Sequence, residues 1–372
     1  MSGEYAALTF RASHVPQELT RPYELSFGSV PAFEAHYVYL VDAAGAVRGI
    51  GEITPLPGYG SETPAIVRQE VAGFAGHVAR GGAPQEWIRS CHLRSPFVSS
   101  ALECMFETLR MGLDRTLHAP LEREVPLCAI CQGHSPEELA ANAGALVRAG
   151  YRTLKVKLGK GDATADAARI AAVHQAAGGR AGIRMDANQA YGFDAAVRLA
   201  EAVGGMGVDH FEQPFGVDAW SEHAALARVS PVPVMLDESI GSPEDVRRAA
   251  DIGVGLVKFK LCKALGMAGL EESVATARSL GLGVILGNGV QTGLGNRLEH
   301  YVHAACGLET ASEAIGFLKP RTPYPGQHTE IRAGMLRHGG LAPLAAADLD
   351  GGLFAEARLA WGQKLEGEEN GA

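Results

Sequence analysis

The stretch "GIRMDANQAYGFDAAVRLAEAVGGMGVDHFEQP", residues 182–214, decides the fold class. It opens with a short apolar strand, GIRMD, that ends on Asp186. An alanine-rich segment with helical spacing follows, and then a second strand, HFE (210–212), that ends on Glu212. The same alternation runs outward in both directions. Upstream lie VPLCAI (125–130) and TLKVK (153–157). Downstream come VPVMLD (232–237), LVKFKL (256–261), GVIL (283–286) and a weaker SEAIGF (312–317). Eight strands, each about 25 residues from the next and separated by helices, predict a parallel βα barrel rather than a doubly wound open sheet.

Helix starts agree with this register. Ser135-Pro136-Glu137-Glu138 reads as a capping box with proline at the first helical position, and Ser242-Pro243-Glu244-Asp245 repeats the design. The first 120 or so residues read differently, as an α+β unit. "AHYVYLVDAAGAVRGIGEI" gives two strands around an Ala-Gly turn, and two helical segments follow a Pro/Gly-rich loop, TPLPGYGSETP. Beyond residue 325 the alternation lapses, and KLEGEENGA is a polar tail.

The 372 residues are 47% hydrophobic and 20% charged, enough to bury a core without disulfides. A net charge of −9 gives no basic footprint for nucleic acid or an anionic membrane, so small molecules are the expected partners. No basic leader with an apolar stretch opens the sequence and no run suffices to span a bilayer, so a cytoplasmic location is expected. Six cysteines are scattered through apolar surroundings. The CAIC pair at Cys128 and Cys131 has redox or zinc spacing but no second pair and no histidine cluster, and reads as buried thiols on a strand.

In a parallel barrel, functional groups sit at the C-terminal ends of strands. Asp186, Glu212 and Asp237 end three consecutive strands, 26 and 25 residues apart. Any one of them fits a helix N-cap. Three together at one mouth would repel one another unless a cation lay between them, and hard oxygen ligands suit Mg²⁺. Lysines recur in pairs on the flanking strands: Lys155 and Lys157 share one face of TLKVK, and Lys258 and Lys260 share one face of LVKFKL. Helices cover the outside of such strands, so these side chains are expected in the mouth. A lysine beside a second cation and partly desolvated has a lowered pKa and works as a base near neutrality, which makes Lys155 a tuning neighbour of Lys157.

With KVK (155–157), MDAN (185–188), FEQP (211–214), LDES (236–239) and KFKLCK (258–263) in this order, the sequence resembles the enolase superfamily and its muconate lactonizing enzyme subgroup, within the mandelate racemase and muconate lactonizing enzyme family. The resemblance implies a (β/α)7β TIM-like barrel at 125–325, an N-terminal α+β capping domain at 1–124, and a segment at 326–372 that returns toward the cap. It implies an essential Mg²⁺, with Mn²⁺ as a substitute, held by Asp186, Glu212 and Asp237. Lys157 and Lys260 would be the acid/base pair supported by Lys155. Asn188, Glu238 and Lys263 would stand behind them. The chemistry implied is abstraction of the proton α to a carboxylate through an enediolate. Such proteins often assemble as homo-oligomers.

The end of strand seven, VILGNGVQTGLGN, has no histidine of the mandelate racemase kind, and its glycines lack the acidic partner of a dinucleotide site. Gln291 stands there where many relatives carry a glutamate. His300 and His303 lie one turn into the next helix and read as packing or surface groups. SEAIGFLKP lacks the Asp-x-Asp with which dipeptide epimerases of the subgroup hold a free ammonium. Tyr59, Phe27 to Ser29, Gln291 and Phe317 are the candidate substrate contacts, with Tyr59 and Phe317 as a possible aromatic cage for a substituted ammonium. The expected activity is racemisation or epimerisation of an N-substituted amino acid. Cycloisomerisation and o-succinylbenzoate-type elimination use the same groups, and a metal-binding pseudoenzyme is the reading from another class.

Overall fold

The computed structural model describes residues 8–25, 28–56, 60–159, 162–322 and 328–359. The N-terminal part contains β1 (Thr9–His14), β2 (Gln17–Leu25), β3 (Gly28–Phe33), β4 (His36–Val41) and β5 (Val47–Ile53). Three helices follow: α1 (Pro64–Ala79), α2 (Pro84–His92) and α3 (Pro96–Met111). β1, β4 and β5 form one antiparallel sheet, and β2 pairs with β3 as a separate hairpin. α3 lies directly on β5 because Gly49 and Gly51 have no Cβ, which would collide with the backbone carbonyls of Met105 and Ala101.

After β6 (Val125–Pro126) come β7 (Ala129–Ile130), α4 (Pro136–Arg148), β8 (Thr153–Lys157), α5 (Ala163–Ala177), β9 (Gly182–Asp186) and α6 (Phe193–Val203). The alternation continues through β10 (Val208–Glu212), α7 (Trp220–Val229), β11 (Val234–Leu236), α8 (Pro243–Asp251), β12 (Leu256–Phe259), α9 (Gly266–Ser279), β13 (Gly283–Leu286) and α10 (Gly293–Ala305). β7 to β13 make a curled, wholly parallel sheet in sequence order. The capping box at Ser135 forms, with its hydroxyl on the Glu138 amide, and the Ser242 hydroxyl accepts from the Asp245 amide.

Two expected strands take other forms. VPLCAI is split: Val125–Pro126 pairs with β15 (Met335–His338), itself paired with β14 (Thr329–Arg332), and only Ala129–Ile130 joins the parallel sheet. SEAIGF is not a ladder strand. Ser312 exchanges hydrogen bonds with the first edge, donating to Pro126 O and accepting from Cys128 N, while Glu313 N donates to Leu286 O on the last edge. One short segment therefore bonds both ends of the curled sheet, and a 3-10 turn at Gly316–Leu318 follows it. Finally β16 (Leu353–Arg358) pairs antiparallel with β1.

Strand alternation sorts the side chains. Leu154, Val156, Ile183, Met185, Phe211, Leu236 and Val257 point outward into the apolar layer shared with the helices. The inward positions on the same strands include Lys155, Arg184, Asp186, His210, Glu212 and Lys258, all buried. All six cysteines are free, and five, including Cys128 and Cys131, are buried. Among the described residues, no helix is long and apolar enough to cross a membrane.

Candidate active site

Asp186, Glu212 and Asp237 end β9 and β10 and follow β11, so three adjacent strands deliver three buried carboxylates to one end of the sheet. β8 and β12 flank this trio on either side, carrying Lys157 and, one residue past the strand, Lys260. Lys157 Nζ lies 2.5 Å from Asp186 Oδ2 and 2.8 Å from Asn188 Oδ1. Lys260 Nζ lies 2.7 Å from Asp237 Oδ1. The two lysines differ in access: the Lys157 side chain is 47% exposed and that of Lys260 is 5% exposed.

A second layer sits one inward position deeper. Lys155 Nζ donates to Glu212 Oε2 and Glu313 Oε2, each at 2.7 Å, and lies 2.8 Å from Asp186 Oδ2. Lys258 Nζ donates to Glu212 Oε1 at 2.5 Å and Glu313 Oε2 at 2.7 Å, and Arg184 Nη1 donates to Glu313 Oε1 at 2.8 Å. Glu313 was missed because it begins its segment instead of ending a strand, as the three carboxylates do; its two-edge bonding creates the position. The same-face rule that places Lys258 also places Arg184.

Electrostatics follow from burial set against these partners. Burial opposes ionisation of Asp186, but Lys155, Lys157 and Lys258 outweigh it and hold the carboxyl far below the usual range. Asp237 is held low against burial by Lys260 and Lys258. Glu212 goes the other way: burial and the Asp186 charge push it up to about 7 despite Lys155 and Lys258. Lys157 corrects the expectation of a depressed amine. Burial and Lys155 do lower it, but Asp186 is in direct contact and the net direction is upward.

The trio's donors are all carboxylate oxygens on neighbouring strands, the chemistry that suits a hard divalent cation. The tighter His/Cys/Asp/Glu group among the described residues is a different one: His210, Glu212 and Glu313 place one ligand atom each within 4.8 Å of one another. Lys155 and Lys258 already compensate both of its carboxylates.

Behind these groups, Asn188 Nδ2 donates to Glu238 Oε1 at 3.2 Å. Lys263 lies in the 3-10 turn after Lys260, with its amine lowered by burial and by Lys260. Gln213 ties two strand ends together: its Oε1 accepts from the amides of Asp237 and Ser239, and its Nε2 donates to Ser239 Oγ. Asn188, Gln189 and Gln213 all have positive φ, so local strain is concentrated just past Asp186 and Glu212.

The candidate substrate contacts fare less well. Tyr59 and Phe27 lie outside the described residues. Ser29 is on β3 opposite Glu24. Gln291 is buried with its side chain against Gly295, and its neighbour Asn288 lines the pocket instead. Phe317 packs with Val125, Leu127 and Leu336 and edge-on to buried His300, away from the pocket, because the 3-10 turn rotates it off the strand face. The residues that do line the pocket from that side are Tyr23, Ile315 and Lys319.

Residues 138–340 match the Enolase C-terminal domain-like family. The chain is 27% identical over 357 residues to an aromatic dipeptide epimerase of Herpetosiphon aurantiacus, covering 91% of this chain and 96% of that one. It is 26% identical over 273 residues to muconate cycloisomerase 1 of Pseudomonas putida, covering 68% and 72%. Its fold superposes with a TM-score of 0.76 and 19% identity on the dipeptide epimerase of Cytophaga hutchinsonii complexed with Mg and D-Ala-L-Val, covering 95% and 100%. A family match across more than half of the chain, with relatives that are epimerases and cycloisomerases, makes this protein a member of the enolase superfamily, in its muconate lactonizing and mandelate racemase-like group, and one of its isomerases.

Proposed function

We propose that the protein racemises or epimerises an N-substituted amino acid by moving the proton α to its carboxylate between Lys157 and Lys260. The observation that carries this reading is the order of the strands: the two lysines stand on β8 and just past β12, on opposite flanks of the carboxylates from β9, β10 and β11. In this reading residues 1–124 cap a (β/α)7β barrel at 125–325, with the Ser312–Glu313 segment as its last strand and residues from 326 returning to the cap.

Asp186, Glu212 and Asp237 would hold Mg²⁺, with Mn²⁺ as a substitute, and the bound ion supplies Lewis-acid stabilisation of the enediolate charge. A substrate carboxylate bound beside the trio would have its α-carbon between Lys157 and Lys260, which line the same pocket. One lysine takes the proton from one face, and the other returns a proton to the opposite face, inverting the centre. Lys155 bridges Asp186, Glu212 and Glu313 and keeps these side chains at fixed separations. Asn188 holds Lys157 Nζ and is itself held by Glu238, which limits the amine's rotamers.

The nature of the nitrogen substituent follows from the lining. Each of the four pocket carboxylates is paired with a lysine, and Ile315 stands two residues after Glu313. This supports an acylated nitrogen over a free ammonium. A lysine at 319 in place of an aromatic cage likewise disfavours a quaternary ammonium.

Proton NMR in D₂O with Mg²⁺ tests the proposal on a panel of N-acyl amino acids. Exchange of the α-proton with inversion, lost in Lys157→Ala and in Lys260→Ala, is the expected result. Turnover of unsaturated diacids without exchange of any amino acid derivative would replace it with cycloisomerisation. No turnover of either class would leave a metal-binding pseudoenzyme.

A further inference from the structure

The two candidate bases are anchored by different parts of the chain. Lys157 closes β8 inside the ladder. It lies opposite Asp186 of β9, and the next residue continues the pairing, with Leu158 N donating to Asp186 O at 2.8 Å. Lys260 stands beyond its sheet. The last register pairs of β12 are Val257 with Leu236 and Phe259 with Leu286, and Gly287 N donates to Phe259 O at 2.8 Å. From Lys260 onward the backbone bonds to itself: Lys263 N donates to Lys260 O at 3.0 Å and Ala264 N to Leu261 O at 3.1 Å. These bonds shape the 3-10 turn without attaching it to a neighbour.

The attachment comes from α3, in the N-terminal part of the chain. Ser100 Oγ donates to Leu261 O at 2.5 Å, a buried bond between residues 161 positions apart. Cys262 of the same turn is buried in the apolar cluster that holds Val98, Ala101 and Leu102 of α3. Glu299 of α10 also faces this turn, and the Leu261 amide favours its ionised form. Asn296 Nδ2 holds Glu299 Oε2 at 2.7 Å, and Asn296 Oδ1 accepts from Phe317 N at 2.7 Å. The peptides that follow Lys260 are thus clasped between α3 and α10. A shift of the turn carries the Lys260 side chain with it, because no register pair holds residue 260.

Resting on the racemase reading above, we propose that Ser100 is a positioning residue whose hydroxyl, through the Leu261 carbonyl, aims Lys260 at the α-carbon of the substrate. Lys157 is held by its own sheet and does not depend on this bond. Helix α3 therefore governs one face of the reaction and not the other.

The experiment follows each enantiomer of one N-acyl amino acid separately in D₂O with Mg²⁺, and compares deuterium gained with retention to deuterium gained with inversion. Retention reports return by the lysine that took the proton; inversion reports delivery by the other. In Ser100→Ala, removal and delivery by Lys260 slow together. The retention-to-inversion ratio should rise about 5- to 50-fold for the enantiomer deprotonated by Lys157, and fall by a like factor for its mirror image, as expected of a displaced base. Ser100→Cys, which keeps a weaker donor, should lie between. Ser99→Ala removes a neighbouring buried hydroxyl that bonds Pro96 O and His92 Nδ1, and should leave both ratios at the wild-type values. A uniform loss of rate with unchanged ratios in Ser100→Ala, or the same shift in Ser99→Ala, would overturn the inference while the racemase reading stands. Should no amino acid derivative exchange in the wild type, the racemase reading fails, and NMR of the protein labelled with ¹³C at the lysine Cε decides this one. The Lys260 signal, assigned by its loss in Lys260→Arg, shows two distinct Hε protons when the side chain is immobilised. Their merging in Ser100→Ala and not in Ser99→Ala supports the inference; identical signals in all three proteins overturn it.

Discussion

Glu212 in the pocket and Glu52 at the seam between the two parts of the chain are both fully buried carboxylates, and they differ in what holds them. Glu212 is gripped by two ammonium groups, Lys155 and Lys258. Glu52, at the end of β5, accepts from the Thr292 and Gly295 amides at the start of α10 and from the hydroxyls of Thr54 and Thr292. Glu107 of α3 repeats the seam pattern on the Met267 and Ala268 amides at the start of α9, and Glu62 does so within the first unit on Phe97 and Val98 of α3. Helix N-termini carry unpaired N–H groups and a partial positive charge, so a carboxylate there satisfies donors that no side chain of their own helix covers. Amide donors do not titrate or move aside, whereas an ammonium does both. The seam is built to stay, and the pocket is built to exchange partners and protons.

The largest expected effect breaks the pocket alone. Lys157→Ala and Lys260→Ala should each reduce α-proton exchange by about 10²- to 10⁴-fold while the melting temperature stays near wild type. Removal of divalent cations with EDTA should abolish exchange, and Mg²⁺ should restore it. A seam variant should do the reverse. Glu107→Ala leaves the buried Met267 amide and the part-buried Ala268 amide without their acceptor and should cost about 1–3 kcal/mol in urea unfolding, with the kcat of the remaining folded enzyme unchanged. A kinetic defect without a stability loss would place Glu107 with the pocket carboxylates instead.

A third test uses buried groups that belong to neither set. Burial holds His223 neutral, with its pKa lowered to about 4. The unfolded chain binds a proton there below about 6.5 that the folded chain refuses until about pH 4. The stabilising contribution is thus complete above pH 6.5 and lost as pH falls toward 4. One such histidine costs about 1–2 kcal/mol at pH 5, so His223→Leu should unfold less steeply with acid than wild type, and an identical slope would refute the assignment. Glu299 has the opposite sign: burial raises it to about 8, so its contribution declines as pH rises toward that value. The smallest effect contrasts an exposed cap with the buried ones. Ser135→Ala should cost about 1 kcal/mol, at the low end of the range for Glu107→Ala.

The parallel sheet and the strand-end carboxylates were legible because both are local: an apolar run, an acid and a capped helix recur within single repeats. Glu313 and Phe317 were not. Their segment makes a single bridge and then a 3-10 turn, so a period of two assigns Phe317 to a face it does not occupy. Gln291 failed for a related reason, since the turn after β13 presents Asn288 to the pocket and folds Gln291 against Gly295. Tyr23 and Lys319 lie nearly three hundred residues apart, and no local pattern joins them. Glu52 was read as part of a strand, and its role becomes visible only when α10 arrives on top of it. The lysine pairs were placed correctly by strand faces, but the direction of the Lys157 shift needed the distance to Asp186.

The pairing of β16 with β1 has a consequence for biosynthesis. Thr9 lies opposite Arg358, and Phe10 opposite Ala357. During translation the first strand emerges long before its partner is made, and meanwhile the entire parallel sheet can form behind it. The edge that β16 will cover stays open through that interval, a row of unpaired amides and carbonyls on a nascent chain. The early strands therefore wait for the late one, and the holding of that edge by a chaperone, or its capture by a neighbouring chain, is settled within the roughly 20–70 s that synthesis of the intervening chain takes.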